Sequence, residues 1–201
     1  MGIFDFFRRE PAVASRDALV DFLDRQAAFL AQKGMFEYSR ARAGPYGNIL
    51  FDEKSFLDEL EKSRWLAFPV TLAIVTEAVE GVLRPAAGAR SEAVLQGINA
   101  AALAVFDRYP VPAALEAEAW AELRRALERD LALVQMHSVK RVMDVPERFV
   151  ERYIAAMPIH EKLREKDGPT IHNFLKANLC NVHEVFVQRA DVPALVALLG
   201  A

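Results

Sequence analysis

Residues Trp65 to Leu83 read WLAFPVTLAIVTEAVEGVL, and from Trp65 to Val75 only Pro69 and Thr71 interrupt an apolar run. At about 100° per residue, Trp65, Phe68, Leu72, Val75, Val79 and Leu83 fall on one stripe, while Leu66, Val70, Ile74 and Ala78 line much of the opposite side. A helix apolar around most of its circumference needs neighbours on nearly every side. The rival is a membrane span, which needs about 20 lipid-compatible residues; Glu77 and Glu80 would each cost roughly 2.5 to 3.5 kcal/mol near mid-bilayer. Burial in protein is favoured. The stretch is therefore read as the central helix, residues 65–83, of an all-α, single-domain bundle of about seven helices.

Working outward toward the N-terminus, Asp52 is placed as the cap of a helix in which Phe56, Leu57 and Leu60 lead into the central run. Pro69 either kinks one long helix or opens a new one, since it removes a backbone donor and clashes one turn back. Gly44-Pro45-Tyr46-Gly47-Asn48 reads as a turn cluster. Before it, Ser15 caps a helix from Arg16 to Lys33 with Leu19, Phe22, Leu23 and Phe29 on its stripe, Gly34 as its stop, and a further short helix from Met35 to Ala43. Residues 1–14 form a Phe-rich tail and residues 15–201 the helical domain. In the tail, Ile3, Phe4, Phe6 and Phe7 precede Arg8 and Arg9, the pattern of a small interfacial membrane anchor. The competing expectation is that these phenylalanines cover the protein's own core or a twin subunit.

Toward the C-terminus, Arg84-Pro85 is expected to end the central helix and Ser91 to begin another, with Leu95, Ile98, Ala102, Val105 and Phe106 inward. Pro110 and Pro112 force a break before a helix from Ala113 to Met136 carrying Trp120, Leu123, Leu127, Leu131 and Val134. Its other face holds the pairs Glu122–Arg125 and Arg124–Glu128, each worth a few tenths of a kcal/mol. Asp144 with Pro146 opens a helix that Met157-Pro158 closes. Asp167-Gly168-Pro169 reads as a turn launching the next helix, and Asp191 caps the last. No stretch alternates with period two for long enough to require a sheet.

The 201 residues suffice to bury a core without disulfides or metal. Lys plus Arg number 25 against 28 Asp plus Glu, so the net charge of -3 supplies no general attraction to nucleic acid. The single cysteine, Cys180, excludes an internal disulfide and suits a reducing, cytoplasmic compartment; no signal peptide or stop-transfer pattern is recognisable. Abundant Ala and Arg are of the kind GC-rich bacterial genomes encode.

All four histidines lie in the last third. On the helix after Pro169, the core stripe is Ile171, Leu175, Leu179, Val182 and Phe186, and His172, Cys180 and His183 sit on its flank. His172 and His183 are about 16 Å apart along the axis and cannot share an ion. Cys180 and His183 can supply two ligands, one too few for zinc, and no CxxC or HExxH accompanies them. A mid-helix thiol also lacks free backbone N–H groups for an oxyanion. Ordinary helix-edge residues are the expectation, and no metal or cofactor is called for. Glu77 and Glu80 share a strip of the central helix, able to serve as an acid/base pair in a cleft but expected to form a solvated edge, with Glu80 paired to Arg84.

The succession of a helix, Lys33-Gly34, Arg40, Arg42, Ala43-Gly44 and Phe51 to Leu57 resembles the start of a TetR-type repressor. That resemblance implies a transcriptional regulator, but Gly44-Pro45-Tyr46-Gly47 stands where the family's recognition helix belongs, so no DNA contacts are carried over. The leading expectation is a non-enzymatic helical protein acting through protein contacts, as a homodimer. The alternative is a small-molecule or lipid-binding bundle with its pocket beside the central helix, and His172, Cys180 and His183 at the rim.

Overall fold

The computed structural model describes residues 11–158 and 161–201, without the side chains of residues 161–165. The tail residues Ile3, Phe4, Phe6, Phe7, Arg8 and Arg9, and His160, lie outside the described residues. Those described form an all-α bundle: α1 (Arg16–Ala43), α2 (Gly47–Asp52), α3 (Lys54–Ala87), α4 (Ser91–Asp107), α5 (Ala117–Gln135), α6 (Val150–Ala156), α7 (Glu161–Arg189) and α8 (Val192–Leu199). Among the described residues the nearest thing to a strand is a single bridge, Val13 to Ala190. Val13, placed in the tail from sequence, is part of the core. Its N–H donates to the Arg189 carbonyl at 2.8 Å and its carbonyl accepts from Asp191 N at 3.0 Å.

The central helix α3 packs against every other α-helix. Its segment from Ala67 to Glu80 is buried throughout, and 83% of the most apolar window in Lys54–Asp107, a stretch long and apolar enough to cross a membrane, is buried within the protein. The run from Trp65 to Leu83 is thus covered by its own chain. At its entry, Trp65 meets Phe68, Tyr109 and Trp120 edge-on at 5.2 to 6.0 Å, and Phe106 stacks on Trp120 at 4.1 Å. Such aromatic pairs add roughly 0.5 to 1.5 kcal/mol each beyond burial.

Glycine and proline mark fewer ends than local rules expect. Helix α1 does not stop at Gly34 but continues to Ala43. The Tyr153 hydroxyl donates to the Leu30 carbonyl at 3.0 Å, one turn before Gly34, and a Cβ at position 34 would stand 1.6 Å from that hydroxyl oxygen. Gly34 is there to admit Tyr153. Pro69 lies inside a single continuous α3, where the buried Thr71 hydroxyl is 2.9 Å from both the Phe68 and the Ala27 carbonyls and shares its proton between them, tying α3 to α1. Pro85 likewise falls within α3, and the helix ends at Gly88, whose φ of +54° is open to glycine. Nor is Asp167-Gly168-Pro169 a turn. It is interior to α7, where Asp167 accepts from Arg42 Nε at 2.7 Å and from the Tyr38 hydroxyl, both on α1.

Other boundaries shift less. The N-cap position of α3 is Glu53, because Asp52 closes the short helix α2; Gly44–Tyr46 is a 3-10 turn leading into it. Helix α5 begins at Ala117 rather than Ala113. Asp144 and Pro146 belong to a 3-10 segment, Val142–Arg148, that precedes α6. Phe29, placed on the stripe of α1, is 46% exposed beneath the Lys33 ammonium, while Ala27, Leu30 and Ala31 fill the core. Ser15 and Asp191 cap α1 and α8 as expected, accepting from Ala18 N and Ala194 N.

Candidate functional site

Among the described residues, two buried carboxylates lie on α3, about two and three turns before its end at Ala87. Glu77 and Glu80 are 7% and 3% exposed, so the solvated edge expected for them is not what forms. Their cover is the segment that follows α5. Val139 of that segment packs over Gly81, its Cγ1 3.6 Å from where a Cβ would stand, an ordinary van der Waals distance. This segment brings the opposite charge with it. Lys140 Nζ lies 3.5 Å from Glu77 Oε1 and Arg148 Nε 3.6 Å from Glu77 Oε2, while Arg84 Nη1 donates to Glu80 Oε1 at 3.0 Å. The Glu80–Arg84 pair read from the sequence is present.

Arg84 also fixes the end of α5, donating to the carbonyls of His137 at 2.6 Å and Gln135 at 2.8 Å. The Gln135 carbonyl is among those a helix C-terminus leaves without partners. The arrangement is a clamp: two carboxylates on α3, three cations, and the α5 terminus held between them. Burial pushes the Glu80 carboxyl up to about 7, with Arg84 opposing and the neighbouring Glu77 charge adding to the rise. Such a group holds its proton near neutrality, which is what acid/base work requires. None of the grooves described below opens onto it, and through Arg84 its contacts fasten the start of the covering segment to α3.

A pH dependence follows. Because the folded-state value stands above that of an unfolded glutamate, Glu80 contributes stability that is complete below the ordinary carboxylate range and is lost as pH rises through about 7. Glu80→Gln mimics the protonated form at every pH. Its melting temperature relative to wild type is expected to rise by at least about 2 °C between pH 5 and pH 8. Differential scanning calorimetry at the two pH values checks this; a difference that does not grow with pH contradicts it.

On α7 the five stripe residues are buried and His172, Cys180 and His183 are half-buried beside them. Among the described residues, neither a hydrogen bond nor an ion pair joins these three to one another or to Glu77 and Glu80. His172 Nε2 is buried, 3.8 Å from Glu147 Oε1, and Lys176 holds that same carboxylate at 3.0 Å. Among the described residues, no three His, Cys, Asp or Glu side chains are grouped closely enough to hold a metal ion.

Two adjoining grooves do open beside α3. One, of about 300 Å³, lies between α3, α5 and α6 and is lined by Leu66, Pro69, Val70, Leu123 and Leu127 and by the Asp130–Arg152 ion pair, closed at 2.7 Å. The other, of about 580 Å³, runs toward the start of α3 past Ser55, Glu59, Lys62 and Ser63. They share Leu66, Ala155 and Ala156. His172, Cys180 and His183 line neither. The sequence reading missed both the grooves and the cations Lys140 and Arg148. The one advance signal for the latter was the concentration of Lys140, Arg141, Arg148 and Arg152 in a short stretch.

A third feature lies at the end of the bundle where α1, α2 and α3 meet. Tyr46 and Ile49 are 72% and 64% exposed, with Phe36 and Leu57 also open to solvent. Phe36 is also one end of a ladder of rings, with Phe51 at 4.9 Å and Phe56 a further 5.2 Å on. No protein-family model, curated protein or solved structure matches the chain, so the fold and these sites carry the functional argument alone.

Proposed function

We propose that the protein is a cytoplasmic, non-enzymatic helical protein that acts through protein contacts, first of all by self-association into a homodimer. The observation that carries this is the exposed apolar end made by Phe36, Tyr46, Ile49 and Leu57. Large apolar residues left exposed together at one end of a fold mark an interaction site. Both signs of charge border it, Arg40 in the last turn of α1 and Asp52 and Glu53 between α2 and α3, which a two-fold axis can set against one another. Light scattering coupled to size-exclusion chromatography of full-length protein is expected to give a dimer at tens of micromolar, and Ile49→Glu a monomer. A wild-type monomer at all concentrations defeats the reading.

A second reading, ligand binding beside the central helix, is favoured by the paired grooves along α3. Their volumes fall in the range of small-molecule sites, about 300 to 1,000 Å³, and the smaller groove is mainly apolar, as such sites are.

A further inference from the structure

Resting on that second reading, we propose that the paired grooves form one binding site for a single-chain amphiphile with a zwitterionic head group. From Ser55 to Val70, α3 rises about 22 Å, the scale of an extended long alkyl chain plus its head. The two halves differ in chemistry along that length. The half between α3, α5 and α6 presents Leu66, Pro69, Val70, Leu123 and Leu127, and its two charged residues, Asp130 and Arg152, are paired with each other, so an alkyl chain meets mainly apolar wall. The half toward the start of α3 carries Lys62 flanked by Glu53 and Glu59, together with Ser55 and Ser63.

Those three charges decide the head group. Lys62, Glu53 and Glu59 form no ion pair with one another or with any other described residue, although the neighbouring Lys54–Asp58 and Arg64–Glu61 are paired. A purely anionic head would meet Lys62 but be opposed by two carboxylates. A purely cationic head would satisfy the carboxylates and strand the lysine. A head with phosphate next to the chain and a quaternary ammonium beyond it satisfies both, the phosphate on Lys62 with the serine hydroxyls and the ammonium on Glu53 and Glu59. Ala155 and Ala156, shared by both halves, keep the passage between them open because their side chains are small.

Methyl-resolved NMR of the full-length protein, titrated below the micellar concentrations with hexadecylphosphocholine, hexadecanoate and hexadecyltrimethylammonium, tests this. Saturable shifts at Leu66, Val70, Leu123 and Leu127 are expected, with hexadecylphosphocholine binding about fivefold tighter than either singly charged ligand, the scale of an exposed ion pair. Lys62→Glu should abolish that preference and leave the cationic ligand tightest. Ala155→Trp, at an exposed position, should block all three ligands while leaving the melting temperature unchanged. Saturable binding at the four methyls without head-group preference overturns the inference and keeps the ligand-binding reading. No saturable shift at those methyls with any of the three ligands overturns both.

Discussion

Replacing Gly34 with alanine is expected to cost about 3 to 4 kcal/mol, the sum of an overpacked core and a lost buried hydrogen bond. The added Cβ would stand 1.6 Å from the Tyr153 hydroxyl oxygen and 3.1 Å from a Phe174 ring carbon. Tyr153 is fully buried and its hydroxyl donates to the Leu30 carbonyl, so the ring cannot swing aside without leaving that buried hydroxyl unpaired. On helix propensity alone the same change would be favourable by about 1 kcal/mol. Packing thus outweighs propensity by several-fold and reverses the sign. Tyr153→Phe removes the atom in closest conflict, so the double variant should be less destabilised than the sum of the singles by about 1 kcal/mol or more. Urea denaturation of the four proteins measures the cycle. A Gly34→Ala variant as stable as wild type would mean that Tyr153 does not pack against α1 as described.

Replacing Glu77 with leucine is expected to cost about 3 kcal/mol at pH 7, the lower end for breaking a buried ion pair, because Lys140 and Arg148 keep partial access to water. The change removes the carboxylate that both cations face and leaves the covering segment with uncompensated positive charge next to Arg84. Glu80 supplies the contrast. One turn away on the same helix, its neutral isostere is expected to gain stability on wild type as pH rises, whereas Glu77→Gln should destabilise. Thermal unfolding of the two glutamine variants at pH 8 reads this directly, and equal, same-signed effects would contradict the assignment of Glu77 as the shared anion of the clamp.

The parts of the fold legible in the sequence were those where hydrophobic period and burial coincide. The stripe of α4 and the stripe of α7 from Ile171 to Phe186 are buried residue for residue. Helix ends were less legible because Gly34, Pro69, Pro85 and Gly168-Pro169 obey distant packing rather than local rules. Tyr153 claims the space at Gly34, and Arg42 with Tyr38 hold Asp167 inside a helix. Phe29 was misplaced for a related reason. It stands two turns on from Phe22 at helical spacing, yet the buried residues of that stretch are the small Ala27 and Ala31, which let α1 approach α3 closely.

The candidate sites divide in the same way. That Glu77 and Glu80 share a strip was readable at helical spacing, as was the Glu80–Arg84 pair. Their burial was not, because the covering segment and its cations come from far along the chain, and charge complementarity at that separation leaves no periodic trace. The grooves along α3 depend on Leu123 and Ala155 arriving from separate helices, which no local pattern encodes.

The central claim is that α3 runs unbroken through Pro69 and is wrapped by the other helices of its own chain. Amide hydrogen exchange followed residue by residue tests it most directly. Amides from Val70 to Val79 are predicted to exchange only through global unfolding, and therefore to be the slowest in the protein, with α2 and the segment after α5 orders of magnitude faster. Rapid exchange at Val70 to Val79, or a break in protection at Phe68 to Val70 as deep as that in α2, would contradict it.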